Sequence, residues 1–418
     1  FPEHAMVHAR DEGKADYFAV TEHSHYFTQK TYDEQKAAAD SLDRPGRFAA
    51  LYGWEMTWNN TCGYWGHMNV IGSDKVVSDI HSVTMPDLFK WLESEPDAVG
   101  MFNHPGSSWG DFEDYGFRSE KADRQMALAE IKGRGYDQQY ALLLSRGWHV
   151  APSFNEDNHA PNWTVASPYI TGVLAPALTR ENIMDAFRAR RAYSSADPTM
   201  KIFYKINGEW MGSRLNAPEE LNVSVKITTE NENGIGRIEI IGEDNILVTQ
   251  KFVGARQSYE WNITLPVEYD YYYLRISNGI QYSVPAPIWI ENRGEPKVLS
   301  MTRSATYDGR DSAAVTLKFE NPTEKVMSEV RVDFYLTAVD GFSMRDAVPY
   351  AKVCLGKLKP GRSVTVTRQL PEISKQRRIS AVISAVSDGM TRKSTAYILV
   401  SPVSITEVLC STATVQKD

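Results

Sequence analysis

The stretch Ala98-Val99-Gly100-Met101-Phe102-Asn103-His104-Pro105-Gly106 runs small and apolar residues into an amide, an imidazole and a proline. A short apolar run closed by a turn signal reads as a buried strand. Pro105 stiffens the backbone directly after the histidine, so this strand presents His104 at its end. Tyr17-Phe18-Ala19-Val20-Thr21 repeats the pattern and leads into Glu22-His23-Ser24-His25. Phe48-Ala49-Ala50-Leu51-Tyr52 is a further strand with Glu55 just past it, and Met68-Asn69-Val70-Ile71 another, directly after His67.

Helical segments separate these runs. Residues 31–43 carry Ala37, Ala38 and Ala39, and over 85–95 Met85, Leu88, Phe89 and Leu92 fall on one face at a spacing of about 3.6 residues. Thr179 is an N-cap with Glu181 in the first turn, and Ile183, Ala186, Phe187 and Arg190 follow at helical spacing to close the segment near Tyr193. Strands alternating with helices predict an α/β N-terminal domain over residues 1–200 with several parallel strands.

The texture changes near residue 200. Leu221-Asn222-Val223-Ser224-Val225-Lys226-Ile227 alternates strictly, as does Tyr271-Tyr272-Tyr273-Leu274-Arg275-Ile276. Turn pairs stand at Asn207-Gly208, Asn278-Gly279, Asp308-Gly309 and Asp340-Gly341. This pattern predicts a β-sandwich domain over 201–294. Arg293-Gly294-Glu295-Pro296 reads as a linker to an immunoglobulin-like β domain over 295–418, with Leu358-Lys359-Pro360-Gly361 a turn between its strands.

The 418 residues suffice for two or three domains; 42% are hydrophobic and 23% charged, which argues against wholesale disorder. A formal charge of -8 without a basic stripe argues against a nucleic-acid partner. No apolar run approaches the roughly 20 residues of a membrane span, so no integral membrane segment is expected. Cys62, Cys354 and Cys410 form neither a zinc knuckle nor a disulfide framework. The chain starts at Phe1 without a signal sequence, which reads as a mature or trimmed start. Secretion to the periplasm or cell surface is the expected location, with the cytoplasm as the alternative.

The chemistry is carried by scattered imidazoles and carboxylates at apparent strand ends. Divalent zinc, manganese or iron lowers the pKa of bound water and polarises the bond to be broken, and such ions take imidazole nitrogen and carboxylate oxygen. Glu55 is the best bridging candidate; His23, His104, Asp157 and His159 are the best terminal ligands, with His67 and His25 next. In Asp157-Asn158-His159 two ligand types stand two residues apart, and in an extended segment both point the same way. Asn103 and Asn155 are candidate supporting donors. Trp54, Trp58, Tyr64 and Trp65 are candidates for an apolar wall that excludes water, though packing of a long loop explains them as well. Arg188, Arg190 and Arg191 offer contacts to an anionic substrate, against the plainer role of a solvated helix face. His4, His8, His81 and His149 are weaker candidates. No phosphate loop of the GxxxxGK type and no GxSxG elbow occurs. Cys62 with His67 leaves a thiol nucleophile as a minor option.

Ala19-Val20-Thr21-Glu22-His23-Ser24-His25 resembles the second motif of the PHP (polymerase and histidinol phosphatase) metal-dependent hydrolases. Gly53-Trp54-Glu55 resembles that superfamily's bridging-glutamate motif, Asn103-His104-Pro105 its histidine–proline motif, and Asp157-Asn158-His159 its closing acid-x-histidine motif. Gly66-His67-Met68-Asn69-Val70, Phe187 to Asp197 and Tyr271 to Ile290 look more like the carbaryl-hydrolase-like metallohydrolase branch. The resemblance implies a distorted (β/α)7 barrel with two or three divalent metal sites at the strand ends, and hydrolysis of phosphoesters or other esters and amides. It makes His23, Glu55, His104, Asp157 and His159 ligands, His67 a further ligand or pocket histidine, and His67 or His25 a proton shuttle. Two departures accompany it. The superfamily opens with a histidine-x-histidine strand upstream of the point where this sequence starts; either a trimmed chain leaves that strand out, or the barrel is incomplete and metal binding impaired. Glu22 stands where aspartate is usual, as a ligand or as an orienting group for His23.

The expected substrate is a small molecule or a carbohydrate-linked one, and a homo-oligomer is compatible with the β-rich part. The competing expectation is a non-catalytic secreted or surface protein that binds glycan or protein through aromatic loops and β domains.

Overall fold

The structure is a computed structural model that describes residues 2–58, 65–106, 110, 112–216, 218–279, 281–291, 294–307, 310–337, 348–373, 377–387 and 390–400. Two compact units are present, Phe1–Tyr115 with Lys121–Glu291, and Gly116–Glu120 with Asn292–Asp418.

In the first unit, β1 (Tyr17–Val20), β2 (Ala49–Trp58), β3 (Gly66–Ile71), β4 (Val99–Asn103), β5 (Met126–Glu130) and β6 (Ala151–Ser153) form one sheet in that order. The β1–β2, β4–β5 and β5–β6 pairs are parallel, whereas β3 runs antiparallel to both β2 and β4. The expected (β/α)7 barrel is therefore corrected. A barrel of that kind needs parallel strands closing on themselves, but this sheet is an open path and two of its five junctions are antiparallel. Strand also predominates over helix along the described chain. The β2–β3 connection, residues 59–65, is too short for the helical crossover that a parallel pair requires.

Local sequence accounts for the helices. Helix Gln29–Leu42 starts at Thr28, whose hydroxyl accepts the Thr31 N–H at 3.2 Å. Helix Met85–Leu92 starts at Thr84 with a reciprocal box, Asp87 N–H to Thr84 Oγ1 at 3.2 Å and Thr84 N–H to Asp87 Oδ2 at 3.0 Å. Its Met85, Leu88, Phe89 and Leu92 are buried, as their spacing predicts. Helix Arg180–Arg188 is capped by Thr179.

Strands β7 (Ile170–Val173) and β8 (Ala192–Ser195) leave the first sheet. They pair antiparallel with each other, and β8 pairs with Tyr282–Pro285. Residues on both sides of position 200 thus share an eight-stranded sheet and one apolar core that includes Leu51, Val99, Ile202, Val225 and Leu274. A four-stranded sheet built on Lys201–Ile206, Glu209–Trp210, Glu220–Thr228 and Ser258–Pro266 completes the β-rich part, and Asn207-Gly208 makes the turn with φ of +51° and +85°.

The second unit is a sandwich. A three-stranded sheet (Lys297–Tyr307, Arg310–Glu320, Ser363–Gln369) faces a four-stranded one (Ala351–Leu358, Met327–Thr337, Arg377–Ser387, Met390–Val400) across a shared core that includes Leu317, Phe319, Val332, Phe334 and Ile383. Pro360-Gly361 turns between two of these strands, with Gly361 at φ +64°. Asp308-Gly309, Asp340-Gly341, Arg293, Cys62, Tyr64 and Cys410 lie outside the described residues. Among the described residues no helix is long and apolar enough to cross a membrane.

Candidate metal centre

Strand register brings the candidate ligands together. The parallel ladder of β1 and β2 continues past Val20 as a bridge between His23 and Glu55. Thr57 of β2 lies opposite His67 of β3, and His67 lies opposite Asn103 of β4. Because side chains alternate along a strand and opposed residues share a face, Glu55, Thr57, His67 and Asn103 project from one face. Glu130 ends β5 one place beyond Ala129, which pairs with Phe102, so it joins the row beside Asn103.

The contacts are close. His23 Nδ1 lies 2.9 Å from Glu55 Oε2 and 2.7 Å from Thr57 Oγ1. Glu55 Oε1 accepts the Asn103 amide at 2.7 Å and lies 3.4 Å from His67 Nδ1. His67 Nδ1 is 3.0 Å from His104 Nε2. On its other side, His104 Nδ1 faces Glu130 Oε2 at 3.6 Å and Asp157 Oδ2 at 4.0 Å. His159 Nε2 comes within 3.4 Å of His23 Nε2. Glu55, His67 and His104 are all buried and offer ligand atoms within 4.8 Å of one another, which suits one cation. His104 has φ +32°, a left-handed conformation that a non-glycine residue holds only against strain.

Electrostatics follow from burial and partners. Burial alone raises the Glu55 carboxyl, but hydrogen bonds from His23, His67 and Asn103 outweigh it and hold the group far below the usual carboxylate range. The hydrogen bond to Glu55 raises His23 despite partial burial. For His104 burial opposes the charged form, yet the neighbouring Glu130 carboxylate prevails and the shift is upward. Glu130 is lowered, because His104 and Lys132 outweigh its burial. Asp157 is raised by burial and by the charge of Glu55.

Several expectations need correction. Glu55 does not lie past its strand; β2 runs on to Trp58, and Glu55 sits inside it because both faces of that strand are buried. Asp157 has φ +53° and does not belong to an extended segment, so the two-residue alternation does not apply. It and His159 approach the cluster from a loop instead. Glu22 is exposed, and its Oε1 accepts the backbone N–H of His23 at 3.0 Å. His25 stacks on His23 with ring centroids 5.4 Å apart; its Nδ1 is buried without a hydrogen-bond partner, and burial lowers its pKa. Trp54 and Trp58 are core residues, Trp54 donating to Ser73 Oγ at 2.9 Å and packing on Trp91. Tyr26, Phe154, Trp163 and Tyr169 instead line a cavity of about 1270 Å³ that also reaches His23, Glu55, Asp157 and His159. Arg188 bonds Asp185, and Arg190 bonds the backbone carbonyls of Arg188 and His149. His8 bonds the Trp163 carbonyl, and His149 pairs with Asp123 at 2.7 Å away from the centre.

Two members were not anticipated. Glu130 is fully buried and accepts the Asn155 amide at 2.7 Å, and Lys132 forms an ion pair with its other oxygen. The available signal was the apolar run Met126-Ala127-Leu128-Ala129 ending in an acid.

Comparison with known proteins reaches only part of the chain. Residues 3–127 match the family described as protein of unknown function (DUF3604). An uncharacterized protein of Chlamydia pneumoniae is 26% identical over 144 residues, a match that spans 30% of this chain and 23% of that relative's length. Among solved structures, red sea bream transglutaminase has a TM-score of 0.23 at 13% identity, covering 47% of this chain and 31% of that one. Escherichia coli alpha-2-macroglobulin activated by porcine elastase has a TM-score of 0.25 at 10% identity, covering 49% and 20%. A GH2 beta-galacturonidase from Eisenbergiella tayi bound to galacturonate has a TM-score of 0.19 at 12% identity, covering 50% and 35%. Similarities this low bear on neither fold nor activity.

Proposed function

We propose that the first unit is a metal-dependent hydrolase acting on a phosphoester or another ester or amide. The observation that carries this reading is the convergence of buried Glu55, His67 and His104 on one spot, with His23, Asp157 and His159 around it. Imidazoles and carboxylates in this mixture suit zinc, manganese or iron. The reading agrees with the PHP-like motifs and does not depend on a barrel.

Glu55, His67 and His104 would hold the first cation. Glu55 turns its two oxygens toward different histidines, which suits a carboxylate shared between two cations, with His23 and Asp157 serving the second. A bound divalent ion supplies an activated water and polarises the bond to be broken. Asn103 and Thr57 orient the carboxylate and the imidazole through hydrogen bonds. His159, the most exposed of the histidines in the cluster, stands at the open side, where it can pass a proton to a leaving group. Phe154 and Tyr169 stack at 4.1 Å and give the cavity a flat apolar wall for a small-molecule or carbohydrate-linked substrate.

Metal analysis of the full chain, followed by a panel of phosphoesters, carboxyl esters and amides, tests this proposal. Stoichiometric zinc or manganese with hydrolysis lost in Glu55→Ala supports it. An unchanged rate in Glu55→Ala, or tight glycan binding by a metal-free inactive sample, overturns it.

A further inference from the structure

Glu130 has relative exposure of 0% at the end of β5. A buried carboxylate is costly unless charge and hydrogen bonds compensate it. Three groups do so. Asn155 donates to Oε2 at 2.7 Å, His104 Nδ1 faces the same oxygen at 3.6 Å, and the Lys132 ammonium pairs with Oε1. Lys132 reaches in from the rim, its side chain 24% exposed, with its nitrogen 5.9 Å from the Phe154 ring centroid. His104 links this pair to the proposed metal spot, since its Nε2 faces His67 while its Nδ1 faces Glu130.

We propose that Lys132 is a positioning residue that limits how tightly the centre holds a divalent cation, by keeping a fixed positive charge on Glu130. This inference rests on the metal-centre reading above. A like charge on a carboxylate beside the site repels an incoming cation and withholds part of the carboxylate's attraction. The consequence has a distinctive sign. A lysine that merely braces the fold weakens metal binding when it is lost. A lysine that competes with the cation strengthens metal binding when it is lost, while the metal-free protein becomes less stable because Glu130 loses its counter-charge.

The test compares the full-length wild type with Lys132→Met, Lys132→Arg and the double variant Lys132→Met/Glu130→Gln. Each is stripped with chelator and titrated calorimetrically with manganese chloride and with zinc chloride, and melting is followed with and without metal. Lys132→Met is expected to bind about tenfold more tightly than wild type, the size of an effect of roughly one pKa-equivalent of charge interaction. It should also melt lower without metal and rise further when metal is added. Lys132→Arg should bind like wild type, and the double variant should lose the gain. Should Lys132→Met fail to fold, Lys132→Gln replaces it with the same expectation. Equal or weaker binding by the neutral variant, alongside stoichiometric binding by wild type, overturns the role of Lys132 and leaves the metal centre standing. Absence of binding by wild type overturns both.

Discussion

His23 stands opposite Glu55 in the same register that pairs Val20 with Tyr52, and its Nδ1 lies 2.9 Å from Glu55 Oε2. A backbone ladder thus sets a side-chain contact at the candidate centre. Glu55 and Thr57 both meet the ring at Nδ1, so the imidazole is oriented with Nε2 turned away from them.

Glu55→Gln keeps the shape of the side chain and removes its charge. Metal affinity measured by calorimetry is expected to fall by about a hundredfold or more, because a ligand matters at least as much as the outer groups that tune it. Wild-type affinity in this variant would remove Glu55 from the ligand set.

Asn103→Ala deletes the 2.7 Å donor to Glu55 and leaves every proposed ligand side chain in place. Metal affinity should drop roughly tenfold to a hundredfold. Denaturant unfolding of the metal-free protein should show a loss of about 1–3 kcal/mol, because a buried acceptor is left with less compensation.

Thr84→Ala removes the cap of helix Met85–Leu92, and Leu88→Ala opens a hole beneath it. The first should cost about 1 kcal/mol and the second about 2–5 kcal/mol. A larger loss for the cap than for the core residue would contradict the packing described.

Asp137 begins helix Asp137–Ser145, accepts the Tyr282 hydroxyl and lies 3.5 Å from Arg275. Burial raises its pKa above the ordinary 3.8, against the opposing pull of Tyr282 and Arg275. A raised folded-state pKa contributes stability that is full below the unfolded value and is lost as pH rises through the folded value. Asp137→Asn cannot ionise and escapes that loss. The stability difference between variant and wild type should therefore move in the variant's favour from about pH 4 upward and then level off. A flat difference across that window would show that the carboxyl is not shifted.

Local patterns in the chain announce most of the elements. The strand leading into His104, the helix with Leu88 and Phe89 inward and the cap at Thr179 all stand where spacing and capping place them. Leu221–Ile227 is a strand with one buried face, as its alternation predicts, whereas Tyr271–Ile276 is a strand buried on both faces and does not alternate. Closure was not legible. Apolar runs such as Phe48–Tyr52 and Met68–Ile71 mark buried strands but carry no direction, so the antiparallel β2–β3–β4 arrangement is invisible in them. The seven-residue connection from Trp58 to Gly66 was the available clue.

The residue types at the centre were readable because few side chains other than imidazole and carboxylate bind such cations, and an apolar run ending in one of them is conspicuous. Their grouping was decided by the folded chain alone. Glu130 joins His104 because β5 lies beside β4, and Asp157 reaches it from a loop with a left-handed backbone. The tryptophans near Glu55 turn into the core, while aromatic residues from distant loops line the cavity. Composition and spacing act over a few residues, and they place the strands, caps and candidate ligands along the chain. Strand order, direction and register act between residues far apart in the chain, and the folded arrangement alone selects which of those ligands meet.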